Sequence, residues 1–255
     1  MTLRIAAVQH DIVWENPQAN FERLRPQIER AAGAGGRLVV ISEMFSTGFT
    51  MNSAQMAEAL DGPSCRFVVE EAARHGVWLC GSIPTRWDDG EAYNTLTLAG
   101  PEGQLHRYRK IHPFTYSTEP ENYGAGTEFL TVDIEGASCT FFVCYDLRFA
   151  DEFWTTARVT DVFVVPANWP ERRRVHWRTL LHARAIENQA YVVGVNRVGE
   201  GDGLRYSGDS MIIDPWGEVL ASGASSEALL VVDVDPKVVA DTRATFPVLQ
   251  DRRTG

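Results

Sequence analysis

Two four-residue turns constrain this chain more than any other feature. Gly100-Pro101-Glu102-Gly103 separates the strand-like residues 94–98 and 104–108, and Asp214-Pro215-Trp216-Gly217 separates 211–213 from 218–221. Each turn has Pro at its second position and Gly at its fourth, the chemistry of a type I turn. Each therefore predicts an antiparallel hairpin. The hairpins echo one another, which implies two similar halves facing each other across a two-sheet core. Elsewhere strands alternate with helices. Residues 5–8 read as a strand, and a helix follows Asn16, with Pro17 at its first position. Phe21, Leu24, Ile28 and Ala31 mark that helix's apolar face, and Pro26 within it predicts a kink or a break. Residues 38–42 and 77–83 read as strands flanking a helix that Gly62-Pro63-Ser64 opens and Gly76 ends. Residues 161–165 and 191–195 read as strands around a long helix over 174–189. Helix–strand alternation together with hairpins predicts an α/β protein with mixed sheets rather than purely parallel ones.

The chain has 255 residues and 44% hydrophobic content, and no linker-like run interrupts it. One domain over residues 1–255 is expected. The N-terminal apolar run is too short for a signal peptide, and no segment reaches membrane-spanning length. Four cysteines, Cys65, Cys80, Cys139 and Cys144, form no CxxC pair. That argues against a zinc site or a disulfide scaffold and fits a reducing cytoplasm. A net charge of −10 argues against nucleic acid as a partner. The positive charge is clustered at Arg107, Arg109 and Lys110, and again at Arg172, Arg173 and Arg174. Near a thiol, such clusters suggest a small anionic substrate; otherwise they are solvated surface.

Three strand-like segments end in reactive side chains. Residues 37–42 end at Glu43, 105–109 at Lys110 and 139–143 at Cys144. A carboxylate, an ammonium and a thiol at three strand ends suffice for acyl transfer: the carboxylate takes the thiol proton, and the ammonium with a backbone N–H stabilises the oxyanion. Each residue also has an ordinary reading, the cysteine as a small hydrophobe and the charges as solvated strand ends. Tyr145, which follows the thiol, brings the backbone N–H.

The surrounding residues resemble the nitrilase superfamily of carbon-nitrogen hydrolases. The resemblance rests on Ser42-Glu43-Met44-Phe45-Ser46-Thr47-Gly48-Phe49, Tyr108-Arg109-Lys110-Ile111-His112 and Val143-Cys144-Tyr145-Asp146-Leu147-Arg148-Phe149. Asn168-Trp169-Pro170, the segments 183–191, 194–199 and 206–210, and Phe246-Pro247-Val248-Leu249 are similar to the ω-amidase-like branch. The resemblance implies a four-layer α-β-β-α sandwich and a homodimer. It also implies hydrolysis of a linear amide through a thioester, with ammonia released and no cofactor; no metal is expected, because His176 and His182, six apart in a helix, do not share a face and His112 stands alone. The substrate it suggests is the ω-amide of a short α-keto dicarboxylic acid. Enzymes acting on N-carbamoyl amino acids or nitriles share the Glu-Lys-Cys triad and stay open, as does a catalytically silent binding protein. Glu119 resembles the family's second glutamate, with Glu121 as its rival. Arg173, or else Arg172, resembles a clamp for the substrate carboxylate. Trp169, Phe45 and Phe114 are candidate pocket walls. Arg148 reads as a substrate contact or as a salt-bridge partner of Asp146 or Glu187. Phe149, Phe153, Trp154 and the apolar stretch 244–249 are candidate interface residues.

Overall fold

The computed structural model describes residues 2–253. Met1, Thr254 and Gly255, part of the expected domain over 1–255, lie outside the described residues. In chain order the first half contributes strands β1 (Leu3–Gln9), β2 (Leu38–Val40), β3 (Glu58–Ala59), β4 (Trp78–Arg86), β5 (Ala92–Ala99) and β6 (Leu105–Arg109). Its helices are α1 (Pro17–Gly33), α2 (Ser53–Met56) and α3 (Pro63–His75), and a single turn, α4 (Glu119–Asn122), follows β6. The second half contributes β7 (Leu130–Ile134), β8 (Ala137–Phe141), β9 (Val162–Ala167), β10 (Tyr191–Asn196), β11 (Val198–Gly201), β12 (Leu204–Ile213), β13 (Val219–Ala224) and β14 (Ala228–Val234). Its helices are α5 (Ala150–Thr156), α6 (Arg174–Asn188) and α7 (Pro236–Thr245).

These strands form two mixed sheets, β14-β1-β2-β4-β5-β6 and β11-β12-β10-β9-β8-β7. The halves repeat one pattern. In the first, β1, β2 and β4 are parallel, the β5–β6 hairpin follows, and β14 closes the far edge antiparallel. In the second, β8, β9 and β10 are parallel, the β12–β13 hairpin follows, and β7 closes the edge. Both expected turns are present. The Gly103 N–H donates to the Gly100 carbonyl, and the Gly217 N–H to that of Asp214. Both glycines have φ near +89°, a conformation that L side chains adopt only with strain.

The central strands β2, β9 and β10 are buried on both faces and are largely apolar, whereas β6, β7 and β13 are partly exposed. Along β1, Ile5 and Ala7 face the second sheet, whereas Ala6 and Val8 face the helices. Phe21, Leu24, Ile28 and Ala31 of α1 pack in that helix-facing layer with Phe67 and Val68 of α3. Helix α6 covers the other sheet through Trp177, Leu181 and Ala185. The result is the four-layer α-β-β-α sandwich.

Two local expectations differ. Helix α1 runs unbroken through Pro26. A proline inside a helix costs roughly 3 kcal/mol. Phe21 and Leu24 on one side and Ile28 on the other are each buried against the same sheet, at roughly 1.5–3 kcal/mol apiece. Asn16 adds an N-cap, its side chain accepting the Ala19 N–H at 3.1 Å. The C-terminal stretch also differs. Ala244 and Thr245 finish α7, and Leu249 is buried on its own subunit, where Arg158 donates to its carbonyl at 2.7 Å. Phe153 is likewise fully buried in its own core, and Phe149 stacks on His112.

Candidate active site

The carboxyl ends of parallel strands from both sheets meet at one place, where open α/β sheets commonly bind ligands. Glu43 lies just past β2, Cys144 just past β8 and Asn168 just past β9. Lys110 arrives from the end of β6.

Lys110 organises the centre. Its Nζ donates to Glu43 Oε1 at 3.1 Å and to both Glu119 oxygens at 3.0 and 2.9 Å. All three side chains are excluded from solvent. Burial alone lowers a lysine pKa, but the charges of Glu119 and then Glu43 outweigh it and hold the ammonium above its usual range. Asn94 finishes the arrangement. Its Nδ2 donates to Glu43 Oε1 at 2.7 Å and to Glu119 Oε1 at 3.3 Å. Both acceptors are carboxylate oxygens, which fixes the orientation of the amide. Glu119 also accepts the Phe114 N–H. Burial raises its carboxyl pKa despite the ammonium beside it. Glu43 Oε2 accepts the Asn168 N–H at 2.7 Å, and the Asn168 side chain donates to the Glu43 carbonyl.

Cys144 opens a 3₁₀ segment, Cys144–Arg148, with φ at +47°. That left-handed conformation is strained for cysteine, and such strain gathers where a side chain must be presented sharply. Asp146 holds the bend. Its carboxylate accepts Val143 N–H at 2.9 Å, His112 N–H at 2.9 Å and the Tyr108 hydroxyl at 2.7 Å. It thus ties the segment before Cys144 to the residues on either side of Lys110. Burial pushes the Asp146 carboxyl up to about 6. The Cys144 thiol faces Glu43 and the Asn168 N–H; burial, and then the Glu43 charge, raise its pKa well above that of a free thiol, with Lys110 opposing. In the first turn the Tyr145 N–H has no intrahelical acceptor.

Lys110 and Cys144 reach a cavity of about 150 Å³. Glu43 and Glu119 stand behind Lys110. Tyr145, Trp169, Phe114, Arg172 and Arg173 line the cavity. Arg173 is half-buried with its guanidinium 5.1 Å from the Phe114 ring, whereas Arg172 is exposed above Tyr116. Glu119 is the buried glutamate and Glu121 is exposed. Phe45 does not line the cavity. It is buried in the helix-facing core between Phe21 and Phe67. Met44, at φ +41°, turns the chain after Glu43 and sends the two side chains apart. Phe49 fills the place instead, its ring 5.2 Å from Lys110 Nζ. Arg148 pairs with neither Asp146 nor Glu187. Asp146 accepts the three donors above and lies outside any ion pair among the described residues, and Glu187 pairs with Arg184 at 2.6 Å. Arg148 lies in the cavity wall.

Asn94 was not among the residues singled out in the sequence. Its signal lies in strand parity. It shares a face with Leu96 and Leu98, both in the inter-sheet core, so its amide is forced inward where only a polar partner can satisfy it.

Comparison with known proteins supplies the family. The carbon-nitrogen hydrolase family model matches residues 4–244. The chain is 35% identical to ω-amidase YafV of Escherichia coli (strain K12) over 98% of this chain and 96% of that one. It is 33% identical to 2-oxoglutaramate amidase of Bacillus subtilis (strain 168), over 99% and 98%. Among solved structures, XC1258 from Xanthomonas campestris is a CN-hydrolase superfamily protein with an arsenic adduct in its active site. It superposes with a TM-score of 0.95 at 35% identity, covering 100% of this chain and 98% of that one. Saccharomyces cerevisiae Nit3, of branch 10 of the nitrilase superfamily, gives 0.91 at 25% identity, covering 99% and 97%. The match is full-length in both sequence and fold, and the chain belongs to the carbon-nitrogen hydrolase family.

Proposed function

We propose that this enzyme is an ω-amidase. It hydrolyses the distal amide of a short α-keto dicarboxylic acid, such as 2-oxoglutaramate or 2-oxosuccinamate, and releases ammonia. One observation carries the reading: a small cavity has Cys144 and Lys110 in its wall and Arg148, Arg172 and Arg173 around it. The first pair suits attack on an amide carbonyl, and the guanidiniums suit an anionic substrate.

In this mechanism Cys144 attacks the carbonyl carbon as Glu43 takes the thiol proton. A thiol becomes the nucleophilic thiolate by giving its proton to such a base. Lys110 Nζ and the Tyr145 N–H stabilise the oxyanion. Glu43 passes the proton to the departing nitrogen, the C–N bond breaks, and ammonia leaves behind a thioester. Water then attacks the thioester carbon, Glu43 takes a proton from the water, and the thiolate is expelled and reprotonated as the acid product leaves. Glu119 keeps Lys110 charged and oriented throughout. Trp169 and Phe114 form apolar walls, and Arg173, with Arg172 outside it, holds the substrate carboxylate. No step calls on a metal or cofactor.

The reading includes one catalytic domain, a homodimer and a cytoplasmic location. Val175, Ile186, Trp216 and Phe246 are exposed apolar side chains around α6 and support a partner surface there. All four cysteines are free, which suits a reducing compartment. Among the described residues no helix is long and apolar enough to cross a membrane. Net charge of −10 disfavours nucleic acid.

The test is ammonia release from a panel of 2-oxoglutaramate, 2-oxosuccinamate, N-carbamoyl amino acids and simple nitriles. The keto-acid amides should dominate, and Cys144→Ala should abolish turnover while the protein stays folded. Comparable turnover of carbamoyl compounds or nitriles overturns the substrate reading. Activity in the alanine variant overturns the mechanism.

A further inference from the structure

Arg148 is the charge in this cavity that lacks an explanation. It lies four residues after the nucleophile, and its guanidinium rests 4.7 Å from the Trp169 ring centre. Among the described residues its one hydrogen bond to protein runs from Nη2 to His176 Nδ1 at 3.1 Å. Arg173 approaches the same tryptophan from another side, since Trp169 Nε1 donates to the Arg173 carbonyl at 2.9 Å. Among the described residues no carboxylate pairs with Arg148, Arg172 or Arg173. Asp202 is the one acidic residue in the cavity lining and pairs with none of them. The charged form of Arg173 is disfavoured first by burial, then by Arg172, with Arg148 adding to it. A protein keeps such an arrangement where a ligand anion completes it.

One plain carboxylate needs one guanidinium fork. A 2-oxo acid offers more, because its keto oxygen sits beside the carboxylate and adds acceptor lone pairs. An α-amino acid offers the reverse at that position: an ammonium with three donors and a positive charge. We propose that Arg148 reads the substrate's α-position, donating to the keto oxygen of a 2-oxo acid amide and repelling the α-ammonium of the corresponding amino acid amide. Arg173 takes the carboxylate that both kinds of substrate share. Arg148 can do this because Trp169 fixes the plane of its guanidinium and His176 fixes one edge, leaving its other N–H donors for the ligand. Discrimination then combines an attractive contact for one substrate with a like-charge clash against the other.

The inference rests on the ω-amidase reading, and the experiment separates the two. Steady-state kinetics are measured with 2-oxoglutaramate and with L-glutamine for the wild type, Arg148→Met, Arg148→Lys and Arg173→Met. Arg148→Met should raise KM for the keto amide roughly 10- to 100-fold, the range for losing a hydrogen bond to a charged group. It should also lower the keto-to-amino preference in kcat/KM by at least that factor, because the clash with glutamine goes too. Arg148→Lys should keep most of the rejection of glutamine, since the charge remains. Arg173→Met should weaken both substrates and leave their ratio near the wild-type value. If the wild type prefers the keto amide and Arg148→Met keeps that ratio, the role of Arg148 is overturned and the ω-amidase reading stands. Equal loss on both substrates in Arg148→Met marks a structural role and overturns it as well. If the wild type turns over neither 2-oxo acid amide, the function itself falls, and the inference with it.

Discussion

Replacing Lys110 with Met should separate what holds the centre together from what does the chemistry. Met is close in length and keeps the apolar stem, so little volume is lost. What disappears is a fully buried ammonium with carboxylate contacts at 3.1 Å to Glu43 and 2.9 Å to Glu119. Removing one partner of a buried pair costs roughly 3–5 kcal/mol, because the other charge is left uncompensated. Here two carboxylates are left, facing one another across the Asn94 amide. The least costly response is to bind a proton. A carboxyl whose folded pKa lies above its unfolded value favours the fold at low pH, and that support is lost as pH rises through the folded pKa. The penalty in Lys110→Met should therefore be largest near pH 8 and smaller near pH 5.5. At about 2–4 °C per kcal/mol for a chain of this size, the melting temperature at pH 8 should fall by roughly 6–20 °C. A second variant, Lys110→Met with Glu119→Gln, removes one of the stranded charges. It should recover much of that stability and none of the activity, since loss of an oxyanion donor alone costs about 10²–10³ in kcat. Thermal melts at the two pH values, paired with ammonia release, read both quantities. A Lys110→Met melting temperature within 2 °C of wild type at pH 8, or a loss that does not change with pH, refutes the reasoning.

The parts of this molecule legible in its sequence are those set by local chemistry. Asn16-Pro17 begins α1 and Gly76, at φ +64°, ends α3, because caps act within one turn. The two Pro/Gly turns fix the hairpins, and through them the likeness of the halves. Glu43, Lys110 and Cys144 stand at strand ends in the sequence and meet in space because parallel strands deliver their carboxyl ends to one side. The remainder depends on contacts far apart in the chain. Nothing near Pro26 says that a sheet will hold the helix on both sides of it. Phe45 is two residues from Glu43, yet the left-handed Met44 sends it to the opposite layer. Arg148 has Asp146 two residues away. The expected pair fails because Asp146 is spent on Tyr108, His112 and Val143, and two of those lie more than thirty residues distant. In the C-terminal stretch Leu249 is buried beside Arg158 of its own subunit, whereas Phe246 stays exposed, a division that composition alone does not reveal.

Three further outcomes follow from the geometry. Asp146→Asn should remove a pH dependence of stability. A carboxyl raised from 3.8 to about 6 favours the fold at low pH, and roughly 3 kcal/mol of that support is lost between about pH 4 and pH 7. Urea unfolding at pH 4.5 and 7.5 should show the variant gaining on wild type as pH rises, and a constant difference would contradict this. Ile186→Asp should shift light scattering from a dimer toward a monomer without lowering the helix signal in circular dichroism, because Ile186 is an exposed apolar residue of α6. A monomeric wild type at micromolar concentration would overturn the dimer. The last outcome concerns Glu43, for which two views of the thiol give opposite expectations. If Glu43 served to make a resting thiolate, Glu43→Gln would raise the Cys144 pKa. The structure points the other way. After burial, the Glu43 charge is what raises that pKa, and Lys110 is what lowers it. Glu43→Gln removes the opposing carboxylate and leaves the ammonium, so the thiolate should become easier to form. Thiolate absorbance near 240 nm, titrated against pH, should move to lower pH in the variant, and iodoacetamide should label Cys144 faster at pH 7. Turnover should nonetheless fall by about 10²–10⁴, the usual contribution of a positioned proton carrier. A more ionised nucleophile in a slower enzyme would place Glu43 in the transfer of protons to the leaving nitrogen and from water. A thiol that titrates higher in Glu43→Gln, or a variant that keeps wild-type turnover, would remove Glu43 from that role.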